Sequence, residues 1–491
     1  MRTIRHYIDL QARERAARPY LISAETGREF SYAALQREAR TLCAYLESQG
    51  LRSGDKVGFY CTNGWQTAAV FLGTMYGGFV SVPLNLLAQP SQLAYVLEHS
   101  EARLVFADRE NAGRLPAKIM PVVIDVDAPT LFEETAAELA PPGEDDPALL
   151  MYTSGTTGRP KGCLHTQRSV VSGGLFVQQA HALTERDRVL SSLPLYHING
   201  QIVGTVGPLV QGGSVVAPHR FSVSRFWELL ARHECTWFNV VPTIISYLVA
   251  GTTLEGSDHD LSRVRFGRSA SAPLPPELHR EFERKFGVSI IETFGMTETA
   301  APVFSNPLEK SKRKYGSVGK PAGNVARVTR RDGADCAPGE IGELMVKGDN
   351  VMREYYHDPE ETARMLEPDG WLHSGDLGYV DTEGYYFVTA RLKELIIKGG
   401  ENIAPREIDD TLYKHPAVLE AAAVGIPDAH YGQEILAVVV LRPGASASEH
   451  ELRAFCEKEL GRYKTPKLFR FMQELPKGPS GKVQRLKLLE T

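Results

Sequence analysis

Paired cysteines, long apolar runs and an excess of positive charge are all missing from this chain of 491 residues. Its six cysteines (Cys43, Cys61, Cys163, Cys235, Cys336 and Cys456) are scattered, with no CxxC pair. That argues against a zinc site and a disulfide framework, and fits a reducing compartment. No apolar run is long enough to span a bilayer, and the opening "MRTIRHYIDLQARERAARPY" is charged throughout, unlike a secretory signal. A net charge of −5 gives no general attraction to nucleic acid or to an anionic membrane. Internal repeats and low-complexity tracts are absent too. What is left is a cytoplasmic globular protein, 43% hydrophobic and 23% charged. It is too long for one core and is expected to divide into at least two domains.

The first part of the chain alternates helical and extended patterns. "SYAALQREARTLCAYLESQG" opens on Ser31 as a helix N-cap, carries Leu35, Ala39, Leu42 and Leu46 at helical spacing, and stops at Gly50. "KVGFYC", "FVSVPLN" and "ARLVFAD" read as strands around a helix, "GWQTAAVFLGTMYGG". Such alternation predicts a mainly parallel sheet with helices on its faces. From about Val325 short strands split by Gly, Asp and Pro predict hairpins. The last hundred or so residues read as a small α/β unit with a helix capped by Ser448. A domain boundary is placed near Arg391, giving units of 1–390 and 391–491.

One loop stands out: "TSGTTGRPKG", Thr153 to Gly162. Its glycines free the backbone, its hydroxyls donate hydrogen bonds, and Arg159 and Lys161 add charge, which together suit a polyphosphate. It is neither a Walker P-loop, since Gly162 stands where Ser or Thr is required, nor a GxGxxG dinucleotide fingerprint. Four further stretches follow in order: "FGMTET" (294–299), "WLHSGDLG" (371–378), "ARLKELIIKGGENIAPREID" (390–409) and "GPSGKVQR" (478–485).

These five ordered motifs, spread over essentially the whole chain, resemble those of the adenylate-forming enzymes, which include acyl-CoA synthetases, peptide-synthetase adenylation domains and beetle luciferases. The resemblance implies an α/β protein. Its large amino-terminal AMP-binding domain would hold parallel and mixed sheets with flanking helices and a β-barrel-like part, followed by a small mobile carboxy-terminal α+β domain. It also implies the reaction: a carboxylic acid and ATP give acyl-AMP and pyrophosphate, and the thiol of coenzyme A then takes the acyl group, with Mg2+ bridging phosphate oxygens.

Carried onto this sequence, the phosphate loop is Thr153, Ser154, Gly155, Thr156, Thr157, Gly158 and Lys161. Ser271, Ala272, Pro273, Thr293, Phe294 and Gly295 would hold the nucleotide, with Phe294 stacking on adenine where relatives often have tyrosine. Thr297 would donate to the α-phosphate and Glu298 would ligate Mg2+. An isolated Thr-Glu pair is more often a helix cap with a solvated acid, and only the ordered set changes that reading. Asp376 would accept from the ribose hydroxyls, assisted by Arg391. Lys482 would meet the substrate carboxylate and the α-phosphate. Lys393 matches the hinge about which the small domain turns, after which Lys398, Gly399 and Gly400 would line the thiol's path.

His197, in "LPLYHING", matches a position beside the acyl pocket, which Val241, Thr243 and Ser269 are expected to line together with Val240 and Ile244. These side chains are apolar or small and favour an aliphatic or aromatic acid. Asn239 is neutral where peptide-synthetase modules carry an aspartate. A dicarboxylate would want a second cation, and Arg268 is the candidate nearby. Cys163 is read as a small buried residue. Three functions fit: an acid–CoA ligase first, then an enzyme loading a carrier-protein thiol, then a nucleotide-binding regulator without catalysis. Retention of Thr297, Glu298, Asp376, Lys398 and Lys482 opposes the third. A homodimer is compatible with all three.

Overall fold

The computed structural model describes residues 1–133, 140–153, 159–478 and 482–490. Among these, no helix is long and apolar enough to cross a membrane.

Two large sheets form the body. In the seven-stranded sheet, Pro147–Thr153, Val80–Pro83, Lys56–Tyr60, Leu104–Asp108 and Val122–Ile124 run parallel. Lys161–Thr166 and then Glu354–Tyr355 are added antiparallel at one edge. The nine-stranded sheet has six parallel strands at its centre: Ile290–Met296, Phe266–Ser269, Trp237–Val240, Arg188–Ser191, Ser214–Ala217 and Pro19–Ser23. Parallel strands must be covered on both faces, and helices do this. Trp65–Tyr76 is buried along its whole length between the sheets, and Tyr32–Ser48 packs Leu35, Ala39, Leu42 and Leu46 into the same core, its N-cap Ser31 accepting from the Ala34 amide.

The barrel-like part takes the form of a four-stranded antiparallel sheet in the order Val325–Thr329, Gly342–Lys347, Leu372–Val380, Tyr386–Arg391. After a single 3-10 turn, Leu392–Glu394, the chain enters the small unit. There Gly432–Leu441 is paired by Val418–Asp428, Ile396–Lys398 and Leu468–Phe471, with Glu401–Ile403 on the outer side. This unit has its own core, including Ile396, Ile408, Leu412, Ile435 and Leu452, as a separately folded domain needs. Ser448 caps Glu449–Lys464 in a reciprocal capping box with Glu451.

Ligands of open α/β sheets collect beyond the carboxyl ends of parallel strands. Here those ends are Ser191, Val240, Ser269 and Met296. The segments that follow them carry His197, Val241, Ser271 and Thr297, so the connectivity alone gathers these residues at one edge.

Candidate active site

At that edge, under the small domain, lies a cavity of about 550 Å3. Thr153, Lys161, His197, Thr297, Glu298, Arg391, Lys393 and Lys482 all line it. Thr153 and Lys161 face each other across the base of a hairpin, which fixes both ends of the hydroxyl-rich loop. Ser154 to Gly158 themselves lie outside the described residues.

Glu298 sits in a 3-10 turn, Thr297–Thr299, and accepts a hydrogen bond from the Tyr355 hydroxyl at 2.8 Å. Burial, and then the Glu298 charge, hold that phenol well above its ordinary pKa. His165, fully buried, donates from Nε2 to the Thr297 carbonyl at 2.8 Å, and burial pushes its pKa down to about 4, so the ring is neutral at pH 7. Two non-glycine residues beside the turn, Ala300 and Ala301, have φ of 43° and 76°. A Cβ on Gly295 would fall 1.5 Å from the Ala301 carbonyl oxygen, so only glycine lets these two strands close. Backbone held in this region is found where a site is over-determined by its surroundings.

A second cavity adjoins the first and is lined by Ser271, Ala272, Pro273, Thr293, Phe294, Gly295, Asp376, Arg391 and Lys482. Asp376 is almost wholly buried; its Oδ1 accepts from Arg391 Nε at 2.9 Å, while Oδ2 has no partner. An orphaned buried carboxylate oxygen is costly unless a ligand donates to it. The Asp376 charge raises the pKa of Arg391. Lys482 reaches both cavities. Its pairing carboxylate, Glu394, is 4.0 Å away, and burial, then the neighbouring Arg391, bring its ammonium down to about 8.

Lys398, Gly399 and Gly400 are not brought to this cleft. Lys398 is tied within the small domain to Glu434 at 2.9 Å and to the Tyr463 carbonyl at 2.9 Å, and the two glycines form the tip of a hairpin with φ of 56° and 87°. Nor do all the expected pocket residues share one wall. Ser269 is buried in its strand. Val241 and Thr243 line a third cavity, also of about 550 Å3. His197 lines this cavity as well as the first, and so stands between them; burial lowers its pKa to about 4.

The side chain that composition could not place is Arg268. It is fully buried in Phe266–Ser269, lines the main cavity, and faces Asn239 on the neighbouring strand. Its Nη1 donates to Asn199 Oδ1 at 2.9 Å and Asn239 Oδ1 at 3.0 Å. Asn239 donates in turn to Asn199 at 3.0 Å, and Asn199 to Ser271 Oγ at 3.2 Å. Arg268 Nε has no partner, and among the described residues no carboxylate pairs with this guanidinium. Burial lowers its pKa to about 9, which still leaves it charged at pH 7. Asn199 begins a π-helix, Asn199–Val206, a form concentrated at functional sites.

Two family descriptions match the chain: AMP-binding enzyme over residues 8–356 and AMP-binding enzyme C-terminal domain over 407–482. The chain belongs to the AMP-binding, adenylate-forming enzymes. Sulfoacetate–CoA ligase of Cupriavidus necator is 53% identical over 99% of this chain and 97% of its own, and oxalate–CoA ligase of Arabidopsis thaliana is 34% identical over 91% and 90%. The ATP-bound structure of MatB from Rhodopseudomonas palustris superposes with a TM-score of 0.88 at 32% identity, covering 98% of both chains. The activity is accordingly that of an AMP-forming acid–CoA ligase, which takes a carboxylic acid, ATP and CoA through an acyl-adenylate.

Proposed function

We propose that the acid is short and carries a second strong anion, a sulfonate or a carboxylate, which Arg268 receives. The observation that carries this is the buried guanidinium with its Nε unpaired and no acid beside it. An uncompensated buried charge is expensive, and Nη1 is already spent on the two asparagines. The remaining Nε edge offers the planar fork that binds an oxyanion in bidentate fashion. The expectation of an apolar acid rested on Val240, Val241, Thr243, Ile244 and Ser269; of these Val241, Thr243 and Ile244 line the adjoining cavity, and none lines the main one. Similarity to a sulfoacetate–CoA ligase supports the same reading.

Within this scheme the reacting carboxylate lies toward Lys482 and the anionic tail toward Arg268. Lys482 and the Thr297 hydroxyl offset the charge that builds when carboxylate and α-phosphate meet. Asp376 Oδ2 accepts from the ribose, and Phe294 stacks on adenine. Mg2+ fits the donor set: Glu298 is a single carboxylate held by Tyr355, and no group of three His, Cys, Asp or Glu is present among the described residues. Mg2+ commonly takes one or two carboxylates and completes its shell with water and phosphate oxygens, and it would supply charge neutralisation there. For the thiol step the small domain turns about Lys393 and brings Lys398, Gly399 and Gly400 to the cleft.

The test is ATP-dependent pyrophosphate release, with and without CoA, over sulfoacetate, malonate, oxalate, acetate, hexanoate and benzoate. Sulfoacetate or a short dicarboxylate should lead by about a hundredfold in kcat/KM, the scale of one desolvated charge pair. Arg268→Met should erase that lead while ATP binding persists. Preference for hexanoate or benzoate in the unaltered enzyme would overturn the proposal.

A further inference from the structure

Close to the phosphate loop, one anion already occupies the cavity wall. Glu361, on the short helix Pro359–Met365, accepts from Lys161 Nζ and from both Nε and Nη2 of Arg364, the Nε bond at 2.7 Å. All three side chains line the main cavity. Lys161 and Glu361 are largely buried, and Arg364 is half exposed at the mouth.

The phosphate loop read from the sequence already gives Lys161 to the polyphosphate; we propose that Arg364 completes the place taken by its pyrophosphate end, and that Glu361 is an internal anion that occupies this subsite until the nucleotide arrives and returns when pyrophosphate leaves. The fork that Arg364 presents to Glu361 is the geometry in which arginine receives a phosphate. Lys161 adds a point charge, and its ammonium lies 5.6 Å over the ring of Tyr355, the same residue that orients Glu298. A single carboxylate does not neutralise the surroundings. Lys393, on the same wall, has its pKa lowered by burial and then by the charges of Lys161 and Arg364. A polyphosphate with several negative charges therefore displaces one carboxylate readily.

Competition of this kind lowers apparent affinity by the fraction of time the subsite is taken. It also gives the product a reason to leave. Arg364 first, and then Lys161, hold the Glu361 carboxyl down at about 2, so the internal anion stays ionised throughout the working range of pH.

Titration calorimetry of the full chain with magnesium pyrophosphate, and separately with AMP, tests this without any acid substrate. Arg364→Gln should weaken pyrophosphate binding by about tenfold, the loss of one charge-assisted fork, and leave AMP within about twofold. Arg364→Lys, which keeps the charge and loses the fork, should fall between. Glu361→Gln should tighten pyrophosphate by a few-fold, roughly the competition removed, with AMP unchanged. Wild-type pyrophosphate affinity in Arg364→Gln, or weaker pyrophosphate binding in Glu361→Gln, overturns the assignment. Should Glu361→Gln fail to fold, the two Arg364 variants still decide whether the subsite exists.

Discussion

Two lysines of the small domain stand in opposite surroundings. Lys482 projects into the cleft between domains, about a third exposed, with its paired carboxylate only at the limit of an ion pair, 4.0 Å. Lys398 is buried within the domain, paired to Glu434 at 2.9 Å and flanked by the rings of Tyr431 and Tyr463 at 5.5 and 5.0 Å. A loosely paired ammonium is available to an incoming anion, whereas a saturated one is not. Under the proposed function, the contrast assigns this arrangement to adenylation, whose lysine is in place, and leaves the thiol step to a turned small domain.

The largest effect is expected from removing the lysine that stands in the cleft. Lys482→Ala should lower acyl-adenylate formation by about a hundredfold to a thousandfold, the usual cost of losing one group aimed at developing charge. Thioester formation from supplied acyl-adenylate should stay within a few-fold of wild type. Pyrophosphate release at the normal rate would show that Lys482 plays no part in activation.

On the other side, the hairpin next to Lys398 can be stiffened. Gly399 and Gly400 both have positive φ, and no atom lies within 4 Å of a Cβ built on Gly400. Nothing crowds that position in the present arrangement; only the backbone resists a side chain, by about 1–2 kcal/mol for a left-handed residue. Because the hairpin lies away from the cleft here, Gly400→Val should leave adenylation unchanged; in the proposed thiol step, where Gly400 lines the thiol's path, the added side chain should slow thioester formation by about tenfold. Separate assays of pyrophosphate release and CoA thioester would check this. An equal loss in both would mean the hairpin matters to folding rather than to the thiol.

How far the sequence could be read follows from where partners lie along the chain. Ser31 and Ser448 were legible as caps because a cap is decided within three or four residues. The five motifs were legible because each keeps its chemistry in one short run. Arg268 could be named as a cation near the pocket, but not as buried and unpaired. Its acceptors, Asn239 and Asn199, are 29 and 69 residues away; the first meets it through strand pairing and the second from the start of the π-helix. Asn239 itself was read as the lack of an aspartate, while in the fold it accepts from Arg268. Glu361 is a more complete omission. "DPEETARM" reads as a capped helix start, with Asp358 accepting from the Glu361 amide, and such an acid is ordinarily solvated. Its pairing with Lys161, 200 residues away, has no local signal. His165 and Tyr355 were missed for the same reason. Each acts on Thr297 or Glu298 across sheet edges that the periodicity of a single strand does not reveal.

The mildest way to sharpen the contrast between the two lysines is to vary pH. Burial and Arg391 lower Lys482 to about 8, with Arg485 pushing the same way and Glu394 and Asp376 opposing. Under the proposed function the charged form is the one adenylation needs. Its proton is lost as pH rises through that value, so kcat/KM for ATP should fall several-fold between about pH 7 and 9. Bound phosphate and carboxylate favour the ammonium, so the limb in kcat should lie at higher pH than the limb in kcat/KM. Thioester formation from supplied acyl-adenylate should rise over the same interval as the thiol ionises, because Lys482 is then no longer needed. Lys482→Arg, whose guanidinium keeps its proton, should abolish the alkaline limb in whatever adenylation remains. If that limb persists in Lys482→Arg, another group in the cleft carries the titration, and the two lysines differ in position alone.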